Sequence, residues 1–238
     1  MTEVVAFAGP SVPPAARARF AGVEWRPPAE AGDLLALEPR PGLTVCLIDG
    51  YFDHRPAVRH KEILWLLAQG VRIVGGASIG ALRAAEMRRF GMEGAGAIYR
   101  AFASGRLVRD DEVALIHGPE ESSWAPLSVA LVDVRAALCG AVRRGLVGAA
   151  DARAVLTSAG RCHYADRLWP TVLAGSAVPE ARLRRLAEWL AVEGPSQKRV
   201  DAEACLAAAL SPGVPFTPPE AVRTAFVEAL ARERGQTV

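Results

Sequence analysis

Short β-rich runs alternate with helical patterns through the first half of the chain, and no other feature of the sequence limits the fold as much. The strand candidates are residues 4–8, 23–25, 43–48, 71–74 and 113–116. Helical patterns separate them, at residues 13–20, 33–37, 57–69, 78–90 and 95–102. Strands that alternate with helices pair as a parallel sheet. The sequence therefore predicts an α/β fold with a Rossmann-like, open, mostly parallel sheet flanked by helices.

The second half of the chain, after His117, contains helical patterns only. These patterns cover residues 128–143, 149–158, 180–192, 200–210 and 219–234. We therefore expect two domains. Residues 1–120 form an α/β core domain, and residues 121–238 form a helical region that packs on this core or extends from it.

Charge and cysteine content narrow the class of protein. The 28 basic and 26 acidic residues give a net charge of +2 at pH 7, unlike the strongly basic field of a nucleic-acid-binding protein. The four cysteines lie far apart, and the N-terminus lacks the basic and apolar segments of a signal peptide. No apolar run is long enough to span a membrane. We expect a reduced, cytoplasmic protein with no nucleic-acid or membrane partner.

Two loops qualify as a binding site, because ligands of an open parallel sheet bind at the carboxyl ends of its strands. The first loop follows the strand at residues 43–48 and contains Asp49, Gly50 and Tyr51. The second is a glycine-rich turn between a strand and a helix, made of Gly76, Ala77, Ser78, Ile79 and Gly80. Its serine is placed much like the nucleophile of a G-x-S-x-G elbow.

Three interpretations of Ser78 are open. As a nucleophile, its hydroxyl would attack a substrate while the Ile79 N–H stabilises an oxyanion. As part of an anion cradle, the same groups would bind a phosphate or carboxylate without a covalent step. As an ordinary N-cap, the serine would only stabilise the helix that follows.

A nucleophilic serine needs a base, and the sequence offers Lys61, His60 and His117. Lys61 is one of only two lysines among the 28 basic residues, and desolvation could lower the pKa of such an amine as in Ser-Lys hydrolases. It could equally be an exposed lysine that pairs within its helix. His60 lies on the apolar stripe of the same helix, which also fits a buried core histidine. His117 follows a strand candidate and precedes a Gly-Pro turn.

The carboxylates have structural alternatives as well. Asp49 ends a strand and is the best placed for a site, although an Asx-turn would explain it equally. Arg83 and Glu86 are three residues apart on one helix, as in an ordinary helical ion pair. The acidic residues 110–112 lack partners at the spacing of metal ligands, so we expect a solvated turn there. We expect no metal and no cofactor.

Several segments together resemble the TfuA-like protein family in order and spacing. They are DGYF at 49–52, PAV-x-HKEIL at 56–64, GAS-x-GALRAAE at 76–86, FGM at 90–92 and DDEVA-x-x-HGP at 110–119. A later segment, from Tyr164 to Trp169, is also similar. The resemblance spans residues 46–169.

The resemblance implies a partner in peptide thioamide formation. TfuA-like proteins accompany YcaO enzymes, which use ATP to activate a backbone amide so that sulfur can replace its oxygen. The TfuA-like partner supplies that sulfur from a ThiS-like, ubiquitin-like carrier with a C-terminal thiocarboxylate. The implied partners of this chain are therefore a separate YcaO protein and a thiocarboxylated carrier, with a precursor peptide as a further partner.

The resulting hypothesis is a thiocarboxylate hydrolase. The carrier tail would enter between the two loops, and Ser78 would attack the thiocarboxyl carbon with Lys61 or His60 as base. Direct attack by water, with Ser78 holding the oxyanion, is the variant. The catalytic candidates are Ser78, Lys61, His60 and Asp49, and the substrate-binding candidates are Gly50, Tyr51, Gly76, Ala77, Ile79, Gly80, Arg83 and His117.

Two other functions compete with hydrolysis. A non-catalytic activator or scaffold would use the same residues to bind YcaO and the peptide or carrier. A nucleotide-binding module is a third reading, but the glycine-rich turn matches neither G-x-G-x-x-G nor G-x-x-x-x-G-K-[ST].

Overall fold

A computed structural model of the chain describes residues 3–52, 55–220 and 224–233. Within them the strands are β1 (Glu3–Phe7), β2 (Val23–Arg26), β3 (Leu43–Leu47), β4 (Arg72–Gly76) and β5 (Glu93–Ala95). The helices are α1 (Pro14–Arg17), α2 (His60–Ala68), α3 (Ile79–Met87), α4 (Gly96–Ala103), α5 (Leu131–Arg143), α6 (Ala149–Arg161), α7 (Trp169–Ala174), α8 (Glu180–Glu193), α9 (Gln197–Leu210) and α10 (Ala225–Glu233).

The strands form a single parallel sheet in the order β2-β1-β3-β4-β5. This is one of the two common orders of doubly wound sheets, in which the direction of strand addition reverses between β1 and β3. The predicted α/β class, with a Rossmann-like parallel sheet and a helical C-terminal region, is confirmed.

The central strand β3 is buried along its whole length, which explains its unbroken apolar sequence. On one face of the sheet, Val45 packs in a cluster with Ile63 of α2. On the other face, Cys46 packs in a second cluster with Leu206 of α9. Residues from the C-terminal part of the chain therefore complete the core around the sheet.

The chain divides into two compact units. The first comprises Met1–Val108 and Arg199–Val238, and the second comprises Arg109–Lys198. The boundary that we expected after residue 120, between an α/β core domain and a helical region, stays a prediction. The compact units differ from it because α9 contributes to the core of the sheet.

The second unit is built from helices α5 to α8 around an apolar core. The fully buried Arg167 donates hydrogen bonds to the carbonyl of Ala159 and to the carboxylate of Asp111. Asp111 also accepts from Arg109, while Glu112 forms a bidentate pair with Arg135. The acidic turn that we expected to be solvated is therefore a cluster of ion pairs.

Two expected elements are wrong. Residues 113–116 form no strand, because the backbone of Ile116 bonds locally to Leu127 and Ser128 instead of to the sheet. Residues 33–37 form hydrogen-bonded turns rather than a helix. The sequence analysis also missed β5 and α7.

The last predicted helix, residues 219–234, overlaps α10, which covers Ala225–Glu233. Residues 221–223 and 234 lie outside the described part of the chain. Among the helices that the structure describes, none is both long and apolar enough to cross a membrane.

Two glycines allow α3 to begin directly against the sheet. The Gly80 N–H donates to the Ile48 carbonyl at 3.2 Å, so the first turn of α3 touches the chain just after β3. A Cβ on Gly80 would lie 1.8 Å from the Leu47 carbonyl oxygen, and one on Gly75 would lie 2.2 Å from the Gly80 carbonyl oxygen. Both contacts involve backbone atoms, so neither can be relieved by moving a side chain.

We predict that Gly80→Ala destabilises the protein by roughly 3 kcal/mol or more, because α3 or β3 must move to admit the methyl group. Urea denaturation of purified variants measures this. Gly160→Ala is the control, because Gly160 lies inside α6 with nothing within 4 Å of an added Cβ. It should leave stability unchanged or raise it by up to about 1 kcal/mol. Equal stability of Gly80→Ala and the parent would disprove the close-packing argument.

Candidate functional site

The two loops identified in the sequence lie side by side at the carboxyl edge of the sheet. β3 and β4 are parallel neighbours, with Leu47 opposite Gly75, so the loops that follow them leave the sheet together. A Cβ on Gly50 would lie 2.8 Å from Cγ2 of Ile79. The structure thus brings the Asp49 loop into contact with the beginning of α3.

The turn between β4 and α3 has a strained backbone. Ala77 is fully buried and has a φ of 63°, in the left-handed region that non-glycine residues rarely adopt. The Ser78 N–H donates to the Gly76 carbonyl at 2.8 Å, which closes a three-residue turn around Ala77. Such strain is maintained by surrounding structure and is concentrated at functional sites.

The hydroxyl of Ser78 has no hydrogen-bond partner among the described residues. Ser78 is the N-cap residue of α3, but its side chain makes no capping hydrogen bond. Its carbonyl accepts from Ala81 N–H at 2.9 Å, as helix formation requires. The interpretation of Ser78 as an ordinary capping side chain therefore lacks the bond that defines it.

The Ile79 N–H is a second donor available at this point. It is the first amide of α3, and none of the described groups accepts its proton, as expected for the first turn of a helix. Only 7% of the Ser78 surface is exposed. Among the described buried side-chain atoms, Trp189 Nε1 alone is cut off from solvent without a partner, so the Ser78 hydroxyl retains access to solvent.

Asp49 binds the loop that follows β1. One carboxylate oxygen accepts the N–H groups of Gly9 and Ser11, both at 2.9 Å, and the other accepts the Ser11 hydroxyl at 2.7 Å. This carboxylate is buried and lies between β1 and β3, where doubly wound sheets usually bind their ligands. The Asp49 carboxylate therefore occupies this position itself, and its hydrogen bonds hold the loop that carries Gly50.

The candidate bases are engaged elsewhere in the structure. His60 was expected on the buried stripe of α2, but its side chain is 47% exposed and its Nε2 lies 2.7 Å from the Glu86 carboxylate. Lys61 Nζ donates to the Thr224 hydroxyl at 3.4 Å. Neither side chain forms a hydrogen bond with Ser78, and Glu86, the partner of His60, lies in the last turn of α3 rather than at its beginning.

The expected pair of Arg83 and Glu86 does form, at 2.7 Å. Arg83 also donates to the Val58 carbonyl at 3.0 Å, so it ties α3 to the segment before α2.

Gly76 is needed for packing, because a Cβ there would lie 2.8 Å from the Cβ of Cys205.

Tyr51 and His117 have separate surroundings. The Arg55 guanidinium stacks 4.6 Å from the centre of the Tyr51 ring, and the Tyr51 N–H donates to the Ala29 carbonyl. His117 belongs to the second compact unit, where its Nδ1 lies 2.8 Å from the Gly118 carbonyl oxygen.

A sequence model of the TfuA-like protein family matches residues 49–168, which is about half of the chain and includes both loops of the candidate site. The chain belongs to the TfuA-like family. None of the curated proteins matches it. The match begins at Asp49 and ends just after Arg167, so both the anion that fixes the first loop and the buried arginine of the second unit lie in the family segment.

Glu62 is a buried residue of this TfuA-like protein that the sequence analysis did not include in the site. Its carboxylate accepts the Arg59 N–H at 2.9 Å and the Gly32 N–H at 2.7 Å. Burial, opposed by these backbone hydrogen bonds, raises the pKa of Glu62 to about 7. The sequence does contain one indication of this role, because Glu62 is in the first turn of α2, where a glutamate side chain often accepts a hydrogen bond from a backbone N–H.

Glu62 supports one wall of the site through the turn that contains Gly32. In the same turn, the Ala29 N–H donates to the Asp49 carbonyl at 2.9 Å, and the Ala29 carbonyl accepts from Tyr51. The carboxylate of Glu62 therefore helps to fix the Asp49–Tyr51 loop without touching Ser78.

The described residues include no cluster of three or more His, Cys, Asp or Glu side chains that could hold a metal ion.

The raised pKa of Glu62 predicts a specific pH dependence of stability. Between the ordinary value of 4.5 and the folded value of about 7, the folded chain keeps a proton that the unfolded chain has lost. Stability should therefore fall as pH rises through this window, by roughly 3 kcal/mol in total, and level off above it.

Denaturation of the parent and of Glu62→Gln at a series of pH values from 4 to 8 measures this contribution. The difference in unfolding free energy between the two proteins should change through the window, because only the parent carries the titrating group. In Glu62→Gln, the side-chain NH₂ group replaces one of the two oxygens that accept backbone N–H groups, so one of these hydrogen bonds is lost. The variant is therefore less stable than the parent at low pH. A difference that is constant with pH would contradict the assignment.

Proposed function

We propose that this TfuA-like chain is an accessory protein of YcaO-dependent peptide thioamidation. It hydrolyses the C-terminal thiocarboxylate of a ThiS-like carrier and so supplies sulfide to a YcaO enzyme. Family membership supports the pathway. The observation that carries the chemistry is a pair of donors at the N-terminus of α3, the Ser78 hydroxyl and the Ile79 N–H, for which the described part of the chain supplies no acceptor.

These two groups suit an acyl substrate with a developing negative charge. The Ser78 oxygen bonds to the thiocarboxyl carbon, and the former carbonyl oxygen becomes an oxyanion that the Ile79 N–H and the helix dipole stabilise. The Ser78 proton passes to the base and from it to the sulfur, so that the carbon–sulfur bond breaks and hydrosulfide leaves. Water hydrolyses the acyl-serine, so that thiocarboxylate and water give carboxylate and hydrogen sulfide overall.

The base is the less constrained part of the proposal. Lys61 lies in the first turn of α2, and its flexible side chain has to leave Thr224 to reach the serine. His60 would have to leave Glu86. If neither moves, water attacks the substrate directly and Ser78 and Ile79 hold the oxyanion.

A non-catalytic activator of YcaO is the second candidate function. The observation in its favour is that Lys61 and His60 bond to Thr224 and Glu86 rather than to Ser78. In that case the two loops would dock the carrier or the peptide, and the serine would contribute binding only.

A ThiS-like protein with a chemically prepared C-terminal thiocarboxylate tests hydrolysis without YcaO. We expect Ser78→Ala to lower kcat by roughly 100-fold or more, because it removes the nucleophile or the oxyanion donor. Lys61→Met should lower kcat by roughly 10- to 100-fold if the amine is the base. Mass spectrometry of the carrier and sulfide detection measure the rates.

Ser104→Ala is the matched control, because this exposed serine follows α4 directly and its hydroxyl forms hydrogen bonds with the Ala101 carbonyl and the Arg106 side chain, away from the candidate site. It should hydrolyse the carrier like the parent. Parental hydrolysis by Ser78→Ala would reject the catalytic role. If the parent itself releases no sulfide but raises the rate of YcaO with free sulfide, the activator function is correct instead.

A further inference from the structure

The Lys61 amine contacts Thr224, the residue just before α10. Its Oγ1 lies 3.4 Å from Lys61 Nζ and accepts that hydrogen bond. The same oxygen accepts the Val227 N–H at 3.3 Å, and the Thr224 carbonyl accepts the Glu228 N–H at 3.0 Å. Thr224 is therefore both a contact of Lys61 and the residue that caps α10.

We propose that Thr224 is a positioning residue for Lys61, and that α10 is the element that carries it into place. A hydroxyl oxygen has two acceptor positions. The Lys61 amine and the Val227 N–H use both, so the cap of α10 and a contact of the amine share the same atom.

α10 reaches Lys61 by packing on the turn beside the candidate site. Val227 and Ala231 are buried against Leu35, with Trp65 of α2 at the edge of this cluster. Leu35 lies in the turn whose Gly32 N–H is bound by Glu62. The position of the amine is therefore linked through α10 to the wall that fixes the Asp49 loop.

The connection to α10 is weakly anchored. Residues 211–220 contain no helix or strand and are mostly exposed. Phe216 is half-buried and packs near Gly91 and the core of the first unit. Elements with few buried contacts open locally at low cost, so α10 is expected to detach more often than the sheet unfolds. Each detachment releases the Lys61 amine from Thr224.

The chain offers a direct measure of this restraint, because it has only two lysines, Lys61 and Lys198. Lys198 is buried in the second unit, where its Nζ donates to the Val113 carbonyl at 3.0 Å. Acetylation with a water-soluble succinimidyl ester, followed by mass spectrometry of the two lysine peptides, reports the accessibility of each amine in the full chain. Lys198 serves as the internal control.

We expect Thr224→Val to increase the labelling rate of Lys61 at least threefold, because valine keeps the shape of threonine and removes the acceptor. Thr224→Ser restores the hydroxyl and should stay within twofold of the parent. Val227→Ala, which weakens the docking of α10 without touching Thr224, should also increase the rate. Arg232→Gln, on the exposed side of α10, should leave it unchanged.

The proposal is wrong if Thr224→Val labels at the parental rate, or if Thr224→Ser labels as fast as Thr224→Val. Continued protection of Lys198, and of the buried thiols of Cys46 and Cys205 in the first unit, shows that each variant is folded. If Val227→Ala loses this protection, the comparison of Thr224→Val with Thr224→Ser still shows whether the Thr224 hydroxyl restrains Lys61.

The connection of this restraint to catalysis rests on the proposed function. In the carrier assay, Thr224→Val should change kcat more than KM, and Thr224→Ser should restore the parental value. Amine labelling does not require that the protein be a hydrolase. A positive labelling result with no sulfide release would therefore reject the proposed function and keep Thr224 as the residue that positions Lys61.

Discussion

The candidate site depends on one steric constraint, the contact between the first turn of α3 and the end of β3. Gly80 permits this contact because its Cα faces the Leu47 carbonyl, where a Cβ would come within 1.8 Å. With α3 so close, the chain has only Ala77 and Ser78 in which to reverse direction between β4 and α3, and Ala77 adopts a positive φ. As a consequence, the Ser78 hydroxyl and the Ile79 N–H meet no acceptor among residues 3–52, 55–220 and 224–233.

Buried carboxylates that accept backbone N–H groups stabilise the surroundings of this contact. Asp49 binds the loop after β1, and Glu62 binds the turn that contains Gly32. Asp201 of α9 accepts the Ile98 N–H in the first turn of α4 at 2.6 Å. Each of these acids satisfies backbone donors that would otherwise be unpaired in the protein interior, which is costly. In the structure each of these side chains holds backbone segments in place, although their residue types alone also fit acid–base catalysis.

The sequence was sufficient to predict four of the five strands of the sheet, because these strands are short and regularly separated by helical patterns. It also predicted that the Asp49 and Ser78 loops would be neighbours, since consecutive parallel strands end at the same edge. The strand expected at residues 113–116 was wrong for a physical reason. An apolar run of four residues is buried equally well in a loop, and only long-range pairing decides between the two.

The partners of individual side chains could not be read from the sequence. His60 and Glu62 are two residues apart on α2, yet the histidine is exposed and the glutamate is buried. Histidine is ordinarily the more often buried of these two residue types. The burial of Glu62 depends on a turn some thirty residues earlier in the chain. The contact of Lys61 with Thr224 spans an even longer separation. No local pattern encodes either interaction.

The central claim is that the N-terminus of α3, with Ser78 and Ile79, binds the thiocarboxyl group of an acyl substrate. A titration of the ¹⁵N-labelled protein with thioacetate, followed by two-dimensional ¹H–¹⁵N NMR, tests it most directly. The account predicts that the Ile79 amide is among the resonances that shift most, in a saturable manner, together with the amides of Ser78 and Gly50. Saturable shifts confined to other parts of the chain, with the Ile79 amide unchanged, would contradict it.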